Sequence, residues 1–463
     1  YIPHRVWASL DSDDPRRPTM PPLPSVSPSA RRTRPLLALF VTLGVQMLAS
    51  LVLSAPSVLA PAVAPRLGFA PERVGLFVGL AYLMAMLSGL WSGRGVASIG
   101  AVRLSQAAMF SCALGAFAAT GGSTGLLVVA AIAIGTGYGL INPASTTLLE
   151  RHSPTARRAL FFSIKQTGVP LGVALAGLLM PWGLTALGWQ WSIALAAVAC
   201  AALFPTVHRL QKARRSPGPA ADADWSAEPL DAAPGVDWPA EPPEAAPGDA
   251  RAAALAESKP AAAGLNALRS VLRDPALRRL SLTSLAFAST QLVFVTFLVS
   301  LLNLQLSHSL AWAAGILAAA QVVSTISRIA LGHAADRWID AARLLGWLGL
   351  AMAASLVALA LLRPTTANAW VFAAAIFCAA TGMGWNGVYF AELARTARER
   401  ADLATVARAS QFFTFAGSMS GPVLFAGIIR AGGSYSTGFA LFALLPAAAG
   451  LAMLRARRAR RSG

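Results

Sequence analysis

The amino-acid sequence predicts an all-α membrane protein with twelve transmembrane helices, arranged as two pseudo-symmetric six-helix bundles. Three observations predict this fold: an apolar composition, twelve long apolar runs, and positive charge concentrated on one side of those runs. The 463 residues are 56% hydrophobic and 13% charged, with a mean hydropathy of +0.57, whereas soluble domains are about 25% charged. A water-soluble fold could not bury this much apolar surface.

Twelve apolar segments are long enough to be membrane spans, because a helix needs about 20 apolar residues to cross the hydrocarbon core. We number them first to twelfth. In the first half they are 36–58, 73–93, 101–120, 125–148, 158–182 and 187–207. In the second half they are 280–303, 310–333, 343–362, 368–391, 405–429 and 435–455.

The Lys and Arg residues predict the orientation of these spans, since cytoplasmic loops carry an excess of both. Of the 38 in the chain, the predicted outer loops hold Arg66, Arg73, Arg363 and Arg430, and two more lie within spans. The remaining 32 lie on the other side. We therefore expect a multi-pass protein of the inner (plasma) membrane with both termini in the cytoplasm.

The spans divide the chain into five parts. These are a cytoplasmic N-terminal tail (1–35), a six-helix bundle (36–207), a linker (208–279), a second bundle (280–455) and a basic C-terminal tail (456–463). Most of the linker is Ala, Pro and acidic residues, which cannot bury a core, so we expect it to be cytoplasmic and largely disordered.

The end of the linker contains a helical pattern. Leu265, Leu268, Val271 and Leu272 recur at helical spacing beside basic residues. This pattern fits a short helix on the inner membrane surface, or equally a solvated linker helix.

Glycines recur in the same order in the two halves. The matching pairs are Gly137/Gly139 with Gly382/Gly384, Gly168/Gly172 with Gly417/Gly421, and Gly93 with Gly332. Their offsets lie between 239 and 249 residues. Three matches at a nearly constant offset predict a duplicated six-helix unit.

The end of the eighth span carries a residue-specific signature. Residues 332–337, Gly-His-Ala-Ala-Asp-Arg, resemble a loop motif of the major facilitator superfamily. The resemblance implies that family's fold and a conformational latch at Gly332, Asp336 and Arg337, where the glycine permits close helix approach. In the first half, Ala97 and Ser98 stand in place of the Asp and Arg, so that copy of the latch is degenerate.

Glycine and proline also combine on the fifth and eleventh spans, in patterns similar to the Gly-Pro motif of the family's antiporter branches. Proline leaves a helix carbonyl without its partner, and glycine allows a close neighbour. We therefore expect helix bending at Gly168, Pro170, Gly172, Gly421 and Pro422. Ordinary packing of small residues explains the same pattern equally well.

Two cationic side chains lie within the predicted spans, where an ionisable residue costs about 2.5–3.5 kcal/mol on insertion scales. Lys165 and Arg328 lie about 10 and 12 Å from the cytoplasmic ends of the fifth and eighth spans, at 1.5 Å per residue. Every Asp and Glu lies outside the span interiors. We expect both cations to line one cavity and to bind an anion, most simply a substrate carboxylate. In the alternative, Lys165 is neutral, or either group bonds backbone carbonyls.

The family resemblance implies the same class of substrate. Arg328 followed by Gly332 resembles the eighth-helix Arg that holds the carboxylate in monocarboxylate transporters and oxalate/formate exchangers, and 162–168 resemble cyanate-transporter-like permeases. Further polar and aromatic residues are expected to hydrogen-bond the substrate or a neighbouring helix. They are Gln46, Tyr138, Asn142, Gln166, Gln291, Gln321, Trp385, Asn386 and Tyr389.

Several functional classes lack their sequence signals. No GxxxxGK[ST] loop or HExxH motif occurs, so we expect neither an enzyme nor a cofactor. Cys112, Cys200 and Cys378 lie in apolar runs without a CxxC motif, which predicts buried free thiols and no metal site. The net charge of +18 is spread between apolar runs, and this distribution excludes a nucleic-acid-binding surface.

These features predict a monomeric secondary active transporter in the lipid bilayer that moves a small organic or inorganic anion by alternating access. Two alternatives stay open: efflux of amphipathic compounds or drugs, and a transporter-like sensor that signals through the linker. No span contains a midpoint carboxylate. Protons would therefore travel on the substrate or on Lys165, or else the protein exchanges anions.

A single cysteine in the linker tests the orientation. Asp231→Cys should react with a membrane-impermeant maleimide only after cells are opened, because the linker is predicted to be cytoplasmic. Arg363→Cys, in a predicted outer loop, is the matched control and should react in intact cells. Labelling of Asp231→Cys in intact cells would contradict the orientation or the number of preceding spans.

Overall fold

The computed structural model describes residues 28–152, 158–207, 268–398 and 403–461. Within these ranges the protein consists of helices joined by short turns, and no β-strand occurs there. The predicted all-α membrane fold is confirmed. Most of the linker and most of the N-terminal tail lie outside the described residues.

The first half contains the spans one to six. Their helices are Pro28–Val63 for the first span, Val74–Ala119 for the second and third, Thr124–His152 for the fourth, Arg158–Gln166 and Gly168–Ala186 for the fifth, and Trp189–Ala202 for the sixth. Two short 3₁₀ turns, Pro65–Leu67 and Pro71–Arg73, connect the first span to the second.

The second half contains the spans seven to twelve. Their helices are Pro275–Ser300 with a π-helical turn Leu301–Gln305 for the seventh span, Leu310–Arg337 for the eighth, Ala341–Ala360 for the ninth, Asn368–Met383 and Trp385–Arg398 for the tenth, Leu403–Arg430 for the eleventh, and Tyr435–Phe442 and Leu444–Arg461 for the twelfth. The seventh span starts earlier than predicted, and the last helix extends into the predicted C-terminal tail.

Eleven segments of the described residues are long and apolar enough to cross a membrane. One of them, Pro71–Ala119, has 49 residues, enough for two crossings of about 20 residues each. It turns at Gly100, whose φ of 83° and ψ of 157° are not helical and would strain a residue with a Cβ. One glycine thus separates the second and third spans, in place of the loop that we expected over 94–100.

Polar side chains cap helices of the second half where they begin. Asp274, Ser309, Asp340 and Ser434 each accept a hydrogen bond from a backbone N–H of the first turn. The first N–H groups of a helix have no intrahelical acceptor, and a side-chain cap contributes about 1 kcal/mol. These caps define where the seventh, eighth, ninth and twelfth spans start.

Glycines hold the fifth span against the first. A Cβ added at Gly168 would lie 2.9 Å from the Cβ of Gln46, and one at Gly172 would lie 2.6 Å from the Cβ of Ser50. These distances are shorter than two carbon atoms tolerate. The two helices therefore approach to backbone contact, as small residues allow in membrane proteins.

The matching glycines of the second half hold the eleventh span against the seventh. A Cβ added at Gly417 would lie 2.9 Å from the Cα of Leu285, and one at Gly421 would lie 2.6 Å from the carbonyl oxygen of Ser289. Equivalent helix pairs thus use equivalent glycines, as the duplication predicts. Close packing accounts for these glycines without an antiport role.

The fifth span is interrupted at its Gly-Pro motif. Its two helices meet at Thr167, and Pro170 has no N–H to donate to the carbonyl of Gln166. The eleventh span continues as one helix through Pro422. Only the first of the two motifs therefore coincides with a break in the helix.

The two halves contact each other through small residues at the predicted outer end. A Cβ added at Gly75 of the second span would lie 2.9 Å from the Cβ of Ala426 of the eleventh. One added at Gly177 of the fifth span would lie 2.6 Å from the carbonyl oxygen of Ala314 of the eighth. The halves are therefore closed against each other at this end.

The end of the linker packs against the protein. Residues 268–273 are helical, Val271 is fully buried in a cluster of the second half, and Leu268 packs on the same cluster. Leu272 on the same helix is exposed, so the position of this helix on the membrane surface or in solvent stays a prediction. Leu265 lies outside the described residues.

A substitution at Gly172 tests the close approach of the first and fifth spans. Gly172→Ala should lower the free energy of unfolding by about 1–3 kcal/mol, the usual cost of overpacking. Gly427→Ala is the matched control, because a Cβ there meets no neighbour within 4 Å and Ala favours a helix by about 1 kcal/mol over Gly. Thermal unfolding of both variants in one detergent measures the difference, and equal melting temperatures would contradict the packing.

Candidate functional site

A small cavity, which we call the central cavity, lies between the two halves near the middle of the spans. Its volume is about 40 Å³, room for about one water molecule. Residues of six spans line it: Ser50, Leu53, Ser54, Ser57, Val78, Tyr82, Tyr138, Val169, Val173, Gln291, Leu292, Val295, Thr296, Gln321 and Arg328. The cavity thus combines hydroxyl, amide and guanidinium groups with an apolar wall.

Arg328 joins the central cavity to a break in the tenth span. The first helix of that span ends at Met383, and the chain makes a turn at Gly384. Such a break leaves carbonyl groups without helical donors, and Arg328 Nε donates to the Met383 carbonyl at 3.0 Å. A guanidinium has five N–H groups. The other four have no acceptor among the described residues, so they are available to a ligand.

Tyr138 of the fourth span faces Arg328. The two side chains are close enough to interact electrostatically. The Tyr138 ring also contacts the Tyr82 ring of the second span edge to face, with 5.9 Å between centroids. Two tyrosines of the first half therefore lie opposite the arginine of the second half.

Lys165 lies inside the first half, at the end of the first helix of the fifth span. Its side chain is 1% exposed, and Nζ donates to Oδ1 of Asn142 at 2.8 Å. Its two other N–H groups have no acceptor in the described part of the chain. Lys165 is not among the residues that line the central cavity. We expected Lys165 and Arg328 to line one cavity, but in the structure only Arg328 lines the central cavity.

One face of the fourth span connects the two cations. Tyr138 and Asn142 are four residues apart, so they lie on the same face about 6 Å apart along the helix. Tyr138 is near Arg328 and Asn142 binds Lys165. No carboxylate of the described residues pairs with either cation. The two positive charges therefore flank successive turns of one helix without a counter-charge.

Several buried polar groups on the first and eighth spans have no hydrogen-bond partner among the described residues. They are the amide of Gln46, the amide nitrogen of Gln321 and the hydroxyl of Ser324. Leaving such a group unsatisfied costs about 1–3 kcal/mol. A polar molecule entering between these spans would offer partners to these groups.

The serines of the first span were not among the predicted site residues. Ser50, Ser54 and Ser57 line the central cavity and follow Gln46 at spacings of four, four and three residues. This spacing places the four side chains on one helix face. A polar stripe with helical period in an otherwise apolar span is the signal that identifies them.

Two aromatic residues of the tenth span, Trp385 and Tyr389, lie in the interior of the second half. Trp385 Nε1 donates to Gln291 Oε1 at 3.0 Å, and the Tyr389 hydroxyl is hydrogen-bonded to that of Ser410. Trp385 and Tyr389 are each 1% exposed and pack together, with 5.5 Å between ring centroids. Of these residues, only Gln291 lines the central cavity.

Two further expected residues also lie away from the central cavity. Gln166 is exposed and Asn386 is partly buried, and neither lines the cavity. Gln166 follows Lys165 directly, so its side chain is rotated by about 100° around the helix. Adjacent positions on a helix cannot face the same neighbour.

The expected latch forms the last turns of the eighth span. A Cβ added at Gly332 would meet no neighbour within 4 Å, so the close helix approach that we expected at this glycine is absent. Arg337 is exposed. The side chain of Asp336 lies outside the described residues.

Comparisons with known proteins agree with this architecture. The family model described as Major Facilitator Superfamily matches residues 42–413. A mutant of the peptide transporter POT has a similar structure, with a TM-score of 0.65, 15% identity, and coverage of 92% of this chain and 98% of that one. A bacterial homologue of the human lysosomal transporter Spinster, in an inward-facing and occupied conformation, also has a similar structure. Its TM-score is 0.65 at 14% identity, and the match covers 94% of this chain and 98% of that one. No curated protein sequence matches significantly.

A double-mutant cycle tests the contact between Lys165 and Asn142. Asn142→Leu should lower the free energy of unfolding by about 1.5–3 kcal/mol, because it removes a hydrogen bond to a buried charge. Adding Lys165→Met removes that charge, so the double variant should be more stable than Asn142→Leu alone. Melting temperatures of the wild type, both single variants and the double variant measure the coupling. Additive losses would show that the two side chains act independently.

Proposed function

Because the chain belongs to the major facilitator superfamily, we propose that it carries a small carboxylate-bearing anion across the membrane by alternating access. It is a transporter and not an enzyme, as the family and the similar structures indicate. The class of substrate is inferred from the charges at the centre of the spans.

The observation that carries the proposal is the pair of cations for which the described residues supply no counter-charge. A charged group in a span is costly and marks a substrate pathway or an ion site. Arg328 has four N–H groups without an acceptor among the described residues. Two of them can bind the two oxygens of a carboxylate in parallel. An anion bound there would offset the cost of holding a guanidinium away from water.

Neutral groups around Arg328 complement a small polar anion. The amide nitrogen of Gln321 and the hydroxyl of Ser324 lie within two turns of Arg328 on the eighth span. Ser50 of the first span lines the central cavity. These groups can donate to the second carboxylate oxygen or to a hydroxyl of the substrate.

Lys165 would act beside the binding site. Its only acceptor among the described residues is Asn142, one helical turn from Tyr138, which faces Arg328. An anion bound at Arg328 would attract the Lys165 ammonium, so a charged Lys165 would become less costly when substrate is bound.

The transport cycle requires the central cavity to widen. Its 40 Å³ is far below the roughly 300–1,000 Å³ of small-molecule sites. Substrate entry from the predicted outer side would separate the contacts at Gly75 and Gly177. The residues Asp336 and Arg337 would control the opposite, cytoplasmic end. We propose this cycle for a monomer in the plasma membrane with both termini in the cytoplasm.

Efflux of amphipathic compounds fits the central cavity less well. Two aromatic residues of the tenth span that an amphipathic compound would contact, Trp385 and Tyr389, are hydrogen-bonded to Gln291 and Ser410 inside the second half. They are not available to a bulky apolar substrate. A sensor that signals without transport is distinguished by measuring flux.

Thermal unfolding with a panel of small carboxylates tests the anion site. A substrate at about 100 times its Kd should stabilise the folded protein by about 2.7 kcal/mol, and its neutral amide analogue should not. Arg328→Gln should abolish this ligand-dependent shift even if it lowers the basal melting temperature. Arg343→Gln, an exposed arginine at the start of the ninth span, is the control and should keep the shift. Equal shifts for acid and amide would contradict carboxylate recognition.

Flux into proteoliposomes with a pH gradient and no internal anion tests the coupling. If Lys165 carries the proton, the wild type concentrates the anion, and Lys165→Arg, which does not deprotonate in proteins, fails to do so. Concentrative uptake by Lys165→Arg would exclude the lysine as the proton carrier. Uptake that requires an internal anion would indicate exchange.

A further inference from the structure

A second, larger cavity, which we call the outer cavity, lies at the predicted outer end of the first half. Its volume is about 370 Å³, within the range of about 300–1,000 Å³ for ligand pockets. Spans of the first half and the connection 64–73 form it. No residue lines both this cavity and the central cavity. The outer cavity is therefore a separate site.

The wall of the outer cavity is apolar and opens sideways. Leu59, Phe77 and Trp189 contribute to the wall. Leu76 and Val128 also line it, and each is 44% exposed on the outside of the bundle. In a membrane protein that outside surface faces lipid. The cavity is therefore accessible from the bilayer.

Two arginines lie at the cavity, and both are exposed. Arg73 begins the second span and lies over the Phe69 ring at 5.8 Å. Arg430 ends the eleventh span, whereas every other lining residue lies between 56 and 193. Neither arginine has an ion pair among the described residues. The nearby carboxylate of Glu72 interacts electrostatically with Tyr435 of the twelfth span.

We propose that the outer cavity binds one acyl chain of an anionic phospholipid of the outer leaflet, with the lipid phosphate between Arg73 and Arg430. The apolar wall matches the chain, and the two guanidinium groups match the phosphate through charge-assisted hydrogen bonds. A zwitterionic phospholipid supplies the same chain but places a positive group beside two arginines. The charge of the site therefore selects anionic lipid.

The bound lipid would connect the two halves. Arg73 belongs to the first half and Arg430 to the second, and both lie near the contact of Gly75 with Ala426. A ligand that binds one conformation better shifts the population toward it. The lipid therefore stabilises the arrangement that is closed at the outer end, independently of which substrate the protein carries.

Native mass spectrometry of the full chain tests lipid selection. After release from nanodiscs that contain phosphatidylglycerol and phosphatidylcholine with identical chains, the wild type should retain phosphatidylglycerol. Arg430→Gln should bind it about fivefold more weakly, the contribution of one arginine to holding an anionic lipid. Arg363→Gln is the matched control, because Arg363 is exposed in another outer loop and does not line the cavity. Equal retention by these two variants would overturn the proposal.

Two further measurements separate the acyl chain from the headgroup and detect the closed state. Ala131→Leu narrows the cavity without changing either arginine and should reduce retention, whereas glycerol phosphate, which has no acyl chain, should not compete. Competition by glycerol phosphate would mean a free-anion site and overturn the lipid assignment.

Ser57→Cys, in the central cavity, should react from outside more slowly in phosphatidylglycerol than in phosphatidylcholine. That difference should disappear with Arg430→Gln, and its persistence would contradict bridging by the lipid.

Discussion

Close approach of helix backbones at glycine is the constraint on which the rest of the structure depends. Lipid is as apolar as the interior of the protein, so burial does not drive spans together, and packing has to do so. Gly168 and Gly172 bring the fifth span against the first, and Gly417 and Gly421 bring the eleventh against the seventh. These contacts fix one equivalent pair of helices in each half. Gly75 joins the halves in the same way at the outer end.

The cations lie where this packing is interrupted. Lys165 precedes the break of the fifth span at Thr167, and Arg328 binds the carbonyl that the tenth span leaves at Met383, next to Gly384. Broken helices in a membrane are tolerated where protein or a cavity surrounds them. The break in the tenth span therefore supplies a carbonyl partner for Arg328, whereas Lys165 is bound by the side chain of Asn142 on the fourth span. Most of the N–H groups of both cations have no acceptor in the described protein.

The duplication repeats the packing but not the charge. The fifth and eleventh spans are related by an offset of 249 residues, which makes Thr414 the equivalent of Lys165. The offset of 239 makes Gly89 the equivalent of Arg328. Each cation therefore has a neutral counterpart in the other half. The Thr414 hydroxyl instead bonds Ser284 at 3.3 Å. Each half therefore carries one buried cation that the other half lacks, so the two similar bundles differ in charge.

The sequence by itself determined the spans, the duplication and the presence of two cations without a carboxylate, because each helix in a bilayer satisfies its own backbone and therefore follows local composition. It could not determine which side chains meet. The sequence places Lys165 and Arg328 at similar distances from the cytoplasmic ends of their spans, yet only Arg328 lines the central cavity. Arg430 of the second half lines a cavity whose other residues all belong to the first half. Which side chains become neighbours depends on how whole helices rotate and how closely they approach each other. Contacts between residues distant in the sequence determine both, so only the tertiary structure decides which side chains meet.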